Sequence, residues 1–346
     1  MEEEIKTQKE ESKADTQKPV KKVSVKETKN HIMGTDKCSS VTFKGDAQKY
    51  TLIDEQEKGA MSTYFTCTTK KGEMAGVTFG VKSKDSDGKY VYTPETTLDQ
   101  YDGAVHDAVV SLYASGNSFI SLAMIYGAMT GKKNSEVKLT DEAKEKIVKS
   151  LWKLSSAWVS INNYAEADAY NQNVKCSARR VQRINRTAQC LYFSTETIYF
   201  ENGTTSEGIN VLEEPILYTY AKNIRQIQSD PMEIMNTPLY KNEENIILQR
   251  CLYQQINRIR STAKKGFSNK ILFETVLNEL HITADYYSKS GTYRVKKKRT
   301  IDAMKKILDY WSGGEYKIIS GYEITEDGFL IKLSRKEPKN VPNILL

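Results

Sequence analysis

Arg294 to Trp311 reads RVKKKRTIDAMKKILDYW, a basic cluster that runs without a break into an amphipathic helix. Ile301, Met304, Leu308 and Trp311 recur at helical spacing on one face, while Lys298, Arg299, Lys305 and Lys306 fall mostly elsewhere. Such a helix buries one side in a small domain and presents the other to phosphates. Beyond Gly313-Gly314, two alternating runs, Tyr316 to Tyr322 and Phe329 to Leu333, flank the turn-rich Glu326-Asp327-Gly328 and predict a β-hairpin. A basic helix followed by a hairpin is the recognition helix and wing of a winged helix-turn-helix, so a DNA binder is expected.

Charge is concentrated around this helix. From Arg258 to Lys306 thirteen Lys or Arg face four acids, a local balance of +9 in a chain whose net charge is +7. A focused positive field of this kind suits a polyanion partner. The 346 residues leave room for two domains and a tail, and 39% hydrophobic with 27% charged residues suit a soluble protein. No apolar run approaches the roughly 18 residues of a membrane span. The N-terminal MEEEIKTQKEE lacks a secretory h-region, and the five cysteines are scattered, so a reducing cytoplasm is the expected location.

Working outward, residues 1–46 are Lys-, Glu-, Thr- and Gln-rich with almost no aromatics, which predicts a disordered charged tail. Short β-prone pieces make 47–97 a small β-rich extension. Residues 98–214 read as three helices and then a hairpin. Val105, Val109 and Leu112 share a face of the first helix, Gly131 closes the second, and Thr140 or Asp141 caps the third. Asn202-Gly203 is the expected hairpin turn. Residues 215–240 form a connector helix and linker opened by Pro215, 241–336 repeat the element order of the first unit, and 337–346 are a second tail. The fold expected is α+β: two tandem winged-helix domains behind a disordered tail.

Catalytic patterns fail one by one. His31, His106 and His281 each stand alone, so no His pair is placed to hold a metal for DNA nicking. Gly127 to Lys133 is one residue short of a phosphate loop, and Lys133 stands where Ser or Thr would hold magnesium. Glu243-Glu244 suit the first turn of a helix. The 21 tyrosines are expected mainly in cores and hairpins. No enzyme activity, cofactor or metal is expected.

Binding chemistry remains. Arg294, Lys296, Lys297, Lys298 and Arg299 stand at the N-terminal end of the second unit's recognition helix, with Lys305 and Lys306 further along. Arg294 or Arg299 is the expected base reader, since a guanidinium pairs bidentately with guanine. Lys264 and Lys265 lie in an inter-helix turn suited to the DNA backbone. In the first unit Lys146, Lys149 and Lys153 repeat the pattern weakly. Within KCSARRVQRINR, Arg179, Arg180, Arg183 and Arg186 occupy the position of the first unit's wing, or form a short basic helix that binds a partner or RNA.

From Tyr101 to Leu333 the chain resembles plasmid and mobile-element replication initiator proteins built from two winged helices. The wording that carries the resemblance is YDGAVHDAVVSLYASGNSFISLAMIYGAMTG and EEPILYTYAKNIRQI, with the basic helix of the second unit. The resemblance implies repeated origin sites on double-stranded DNA, gripped through Arg294 to Lys306. It also implies self-association through the first unit, with dimers in equilibrium with monomers, and contact with host replication proteins. The charged tail and the Arg-rich loop depart from that pattern. A transcriptional regulator of a mobile element is the alternative; a tyrosine-dependent nickase and an RNA-binding protein are further ones.

Overall fold

The computed structural model describes residues 25–43, 51–55, 60–65, 75–79, 98–172, 179–182, 184–262, 268–287 and 292–333. It is a mixed α+β molecule of helices and small sheets built around two hydrophobic cores. The chain opens with β1 (Asn30–Gly34) and α1 (Lys37–Thr42), then β2 (Thr51–Glu55), β3 (Ala60–Phe65) and β4 (Ala75–Phe79). The first helical unit is α2 (Gln100–Ala114), β5 (Ile120–Ser121), α3 (Leu122–Thr130) and α4 (Asp141–Ser156). An insert of β6 (Ala157–Asn163), α5 (Tyr164–Gln172) and β7 (Ile184–Gln189) precedes the hairpin β8 (Phe193–Tyr199) and β9 (Thr205–Val211). The connector holds α6 (Ile216–Asn223) and β10 (Ile227–Pro231). The second unit is α7 (Glu243–Thr262), β11 (Lys270–Leu272), α8 (Phe273–Glu279), α9 (Ala284–Tyr287), α10 (Tyr293–Gly313), β12 (Gly321–Ile324) and β13 (Gly328–Lys332).

The two units share a topology that is legible only in three dimensions. Each runs helix, short strand, helix, a further amphipathic helix and hairpin, and each closes an antiparallel three-stranded sheet, β5-β9-β8 in one and β11-β13-β12 in the other. Equivalent glycines mark the repeat. Gly208 on β9 pairs with Ser121, and Gly328 on β13 pairs with Leu272. A Cβ at Gly208 would lie 2.4 Å from the Ile120 carbonyl oxygen, and one at Gly328 would lie 2.2 Å from that of Ile271. In both units the first strand approaches so closely that only a residue without a side chain fits.

Local chemistry explains the element ends. Asp99 caps α2 by accepting from the Tyr101 and Asp102 amides, and the Asp102 carboxylate accepts from the Asp99 amide in return, a reciprocal capping box. Thr140 caps α4, and Gly131 ends α3 in the left-handed conformation at φ 69°. Gly203 takes φ 80° in the β8–β9 turn. Along α10, Thr300, Met304, Ile307, Leu308 and Trp311 are buried; the Trp311 indole N–H donates to the Ile234 carbonyl at 2.8 Å and fastens the helix to the connector.

Three expectations need correction. Residues 25–43 are not part of a disordered tail: β1 pairs antiparallel with β10, Met33 enters the second core, and Cys38 and Phe43 enter the first. The hydrophobic residues in this segment are few, but both cores need them as cover. The rest of the expected tails, residues 1–24, 44–46 and 337–346, lies outside the described residues. In the second unit Lys270–Leu272 extends to pair with β13 before α8 begins. Tyr316 to Tyr322 is not a strand; Ile318 and Ile319 plug the second core, and β12 starts at Gly321. The Arg-rich stretch is not the first unit's wing either, as β7 pairs with β6 in a five-stranded sheet, β2-β3-β4-β6-β7, while β8 and β9 form the hairpin.

One buried polar cluster joins the units. On α7, Arg250 is buried; its Nε donates to Asp107 of α2 at 2.8 Å, its Nη1 donates to Gln100, and its guanidinium lies 5.0 Å from the Phe43 ring centroid. A Cβ at Gly103 would meet that guanidinium carbon at 2.4 Å, so α2 and α7 pack around this one side chain. Burial by itself would raise the Asp107 carboxyl pKa, but Arg250 holds it below the usual range and the pair stays ionised. Asp107→Ala should therefore lower stability by about 3–5 kcal/mol, as it leaves a buried guanidinium without its counter-charge; urea titration at pH 7 measures this.

His31 of β1 lies beside this cluster, its ring 5.6 Å from that of Tyr253, and burial pushes its pKa down to about 4. The folded imidazole is thus harder to protonate than the unfolded one at about 6.5. Acidification from about pH 6.5 to about pH 4 favours the unfolded chain, by up to about 3 kcal/mol, and causes no further loss through this group below that. Relative to the wild type, His31→Leu should gain that amount over the same interval in urea titrations at successive pH values.

Candidate nucleic-acid interface

The outward side of α10 carries the basic cluster. Arg294, Lys298, Arg299 and Lys306 are exposed, while the opposite face of the helix is buried in the second core. Lys297 lies 6.0 Å above the Tyr293 ring, and Lys305 is 3.8 Å from Asp302. The first turn holds no acid, and Thr292 makes no side-chain cap, so the positive end of the helix dipole adds to the side-chain field.

Lys296 is the exception on this helix. Its ammonium is ion-paired with Glu244 in the first turn of α7. The neighbouring Glu243 takes Lys146 of α4 at 2.7 Å, and Lys146 also pairs with Glu142 at 2.7 Å. Adjacent carboxylates on α7 therefore tie the amino-terminal halves of α4 and α10 to a single point. Both acids were legible as first-turn charges, yet nothing in their spacing announces these partners, which are 97 and 52 positions away in the case of Lys146 and Lys296 respectively.

Beside this point a cleft of about 890 Å³ opens between the units. Lysines 132, 138, 146, 241 and 296 line it together with Asp99, Glu142, Glu243, Glu244 and Glu279, so it has no dominant sign. Burial, with Lys132 nearby, brings the Lys241 ammonium down to about 8. Its donors are committed to the carbonyls of Met235 and Thr237 and to the Thr237 hydroxyl.

The other expected contacts divide sharply. Lys153 does not face outward: its ammonium is mostly buried against Asp102 and Asp99, because the capping box of α2 leaves a buried carboxylate in need of a counter-charge. Burial raises the Asp102 pKa to about 6 and Asp99 adds to this, while Lys153 pulls it back. Lys149 is exposed on α4. Arg179 and Arg180 are exposed, and Arg186 is an exposed residue of β7, away from the hairpin that would form a wing. Lys264, Lys265 and Arg183 lie outside the described residues. The turn of the second unit's hairpin carries Glu326, which is exposed, and Asp327, which pairs with Lys270, while Glu323 pairs with Lys332 along the strands.

Among the described residues no three His, Cys, Asp or Glu side chains gather as a metal site, and no helix is long and apolar enough to cross a membrane. No family model matches the chain, and no curated protein matches it. Among solved structures, a selenomethionine form of domains 2 and 3 of RctB aligns with 84% of this chain and 96% of its own, at 12% identity and a TM-score of 0.39. A second structure of RctB domains 2–3 aligns with 82% of this chain and 94% of its own, at 11% identity and a TM-score of 0.37.

The geometry separates structural from available lysines. Lys153→Ala should cost about 3 kcal/mol or more, since it strands the buried Asp102 carboxylate. Lys298→Ala should stay within about 0.5 kcal/mol of the wild type in the same denaturation assay, as expected for an exposed side chain.

Proposed function

We propose that both units are winged helices and that the second reads duplex DNA, as the initiator of replication of a plasmid or other mobile element acting at repeated origin sites. The observation that carries this is the exposed row Arg294, Lys298, Arg299 and Lys306 on α10, a helix whose other face is locked into the core. A rigid helix with one buried and one cationic face is suited to the major groove, where its lysines would grip phosphates and an arginine would pair with guanine. Arg299 or Arg294 is the base reader in this reading. The acidic tip of the β12–β13 hairpin makes it a poor phosphate contact, so α10 takes the larger part of recognition. Action is by binding and distorting DNA, with no bond made or broken.

Footprinting of the DNA flanking this protein's own gene, at physiological salt, tests the proposal. Regularly spaced protected repeats are expected; one protected operator at the promoter would instead favour a regulator, and uniform salt-labile coating would defeat both. On a protected site, Lys298→Ala should flatten the plot of log affinity against log salt by about 1, and Arg299→Ala should cost about 1–3 kcal/mol if it reads a base. Glu244→Gln should raise affinity about two- to fivefold by releasing Lys296, the range of a solvent-exposed ion pair. Glu274→Gln, an exposed acid of the same unit, is the comparison that shows whether general charge alone does this.

A further inference from the structure

The first unit presents the same topological surface as the second with different chemistry: a mixed-charge helix and an acidic hairpin. The exposed stripe of α4 is Glu142, Glu145, Lys149, Trp152 and Ser156, where α10 shows its arginines and lysines. Between Leu191 and Glu214, a stretch that spans the whole β8–β9 hairpin, the chain has five acids and no Lys, Arg or His. A phosphate backbone would meet repulsion here.

Apolar surface accompanies the acids. Trp152 is 57% exposed and leans on Phe193 with ring centroids 6.1 Å apart. Between α4 and the hairpin a pocket of about 220 Å³ has an apolar floor of Leu122, Leu151 and Ile209, with Glu196 and Glu207 at its rim. Further along the hairpin Tyr199 and Phe200 are exposed. Exposed aromatics around a small apolar pocket are a mark of protein interfaces. The volume falls below the roughly 300–1,000 Å³ of small-molecule sites, and suits a single side chain. Glu207 is partly neutralised by Lys144 at 2.9 Å, but both side chains stand well out in solvent, where such a pair is weak and exchangeable.

From the acid rim and the pocket size we propose that the groove between α4 and the β8–β9 hairpin docks a basic peptide segment of another protein, anchored by one leucine- or phenylalanine-sized side chain. The anchor enters beside Trp152, and flanking lysines or arginines meet Glu196, Glu207 and the outward acids of α4. The site is independent of α10, so it holds whether or not the second unit reads DNA.

Selection of a phage-displayed library of random 12-residue peptides on the full chain tests this. Enriched peptides should pair Lys or Arg with one bulky apolar residue. A synthetic copy should bind the wild type in fluorescence anisotropy and lose at least tenfold in affinity with Trp152→Ala, and again with Glu196→Gln/Glu207→Gln, which leaves the apolar floor intact. Peptide binding should weaken as salt rises, and duplex DNA should not displace the peptide. Failure to enrich any peptide, enrichment of acidic ones, or displacement by DNA would overturn the proposal. So would a dimer that Trp152→Ala converts to monomer in light scattering, which would assign the groove to a second copy. Peptide binding seen only after removal of residues 1–24 would assign it to this chain's own N-terminus, and overturn it equally.

Discussion

A single guanidinium sets the relation between the two halves of this molecule. Arg250 reaches from α7 into α2, where Asp107, Gln100 and the Phe43 ring surround it and Gly103 leaves it space. A buried ion pair adds little net stability over a well-packed apolar contact. What it adds is position: an apolar interface can slide by a fraction of a turn at small cost, but a desolvated guanidinium off its carboxylate cannot. α2 and α7 open the two repeated units, so fixing one against the other fixes everything that follows in each. The adjacent Glu243 and Glu244 then tie α4 and α10 to the same helix.

On that frame, one topology carries two surfaces. Both units close their sheets in the same strand order and around equivalent glycines, because the close approach of the first strand to the third is a property of the backbone path. The outward residues are under no such constraint. α10 spends them on cations and α4 on a mixture of acids, Lys149 and a tryptophan, so one architecture carries two chemically different surfaces.

Much of this was readable in the residues alone, for identifiable reasons. The helices α2, α4, α7 and α10 declare themselves because each buries a continuous apolar stripe, and the caps Thr140 and Gly131 have a local mechanism. The Asn202-Gly203 turn is equally local. What was missed depends on distant partners. Residues 30–34 are short and flanked by charges, and their strand exists only because Ile227–Pro231 pairs with them. Lys153 has the helical spacing of an outward lysine; only the buried Asp102 of another helix explains why it points in. Basic residues between 175 and 186 read as a wing by their order in the chain, since an inserted strand that joins a different sheet leaves no periodic trace. The repeat of glycines at 208 and 328 is one residue per unit, too sparse to register as sequence similarity.

The segment 25–43 has a bearing on how the chain folds as it is made. It is synthesised well before the groups it binds: the Ser111 hydroxyl that accepts from the Ile32 amide, the strand Ile227–Pro231, and the second core that takes Met33. Loops of this length close slowly, and their contacts form after local helices have assembled. Neither core is fully covered until most of the polypeptide has been synthesised. In the nascent protein residues 25–43 therefore wait without their partners for much of synthesis, and their few apolar side chains limit the surface exposed meanwhile.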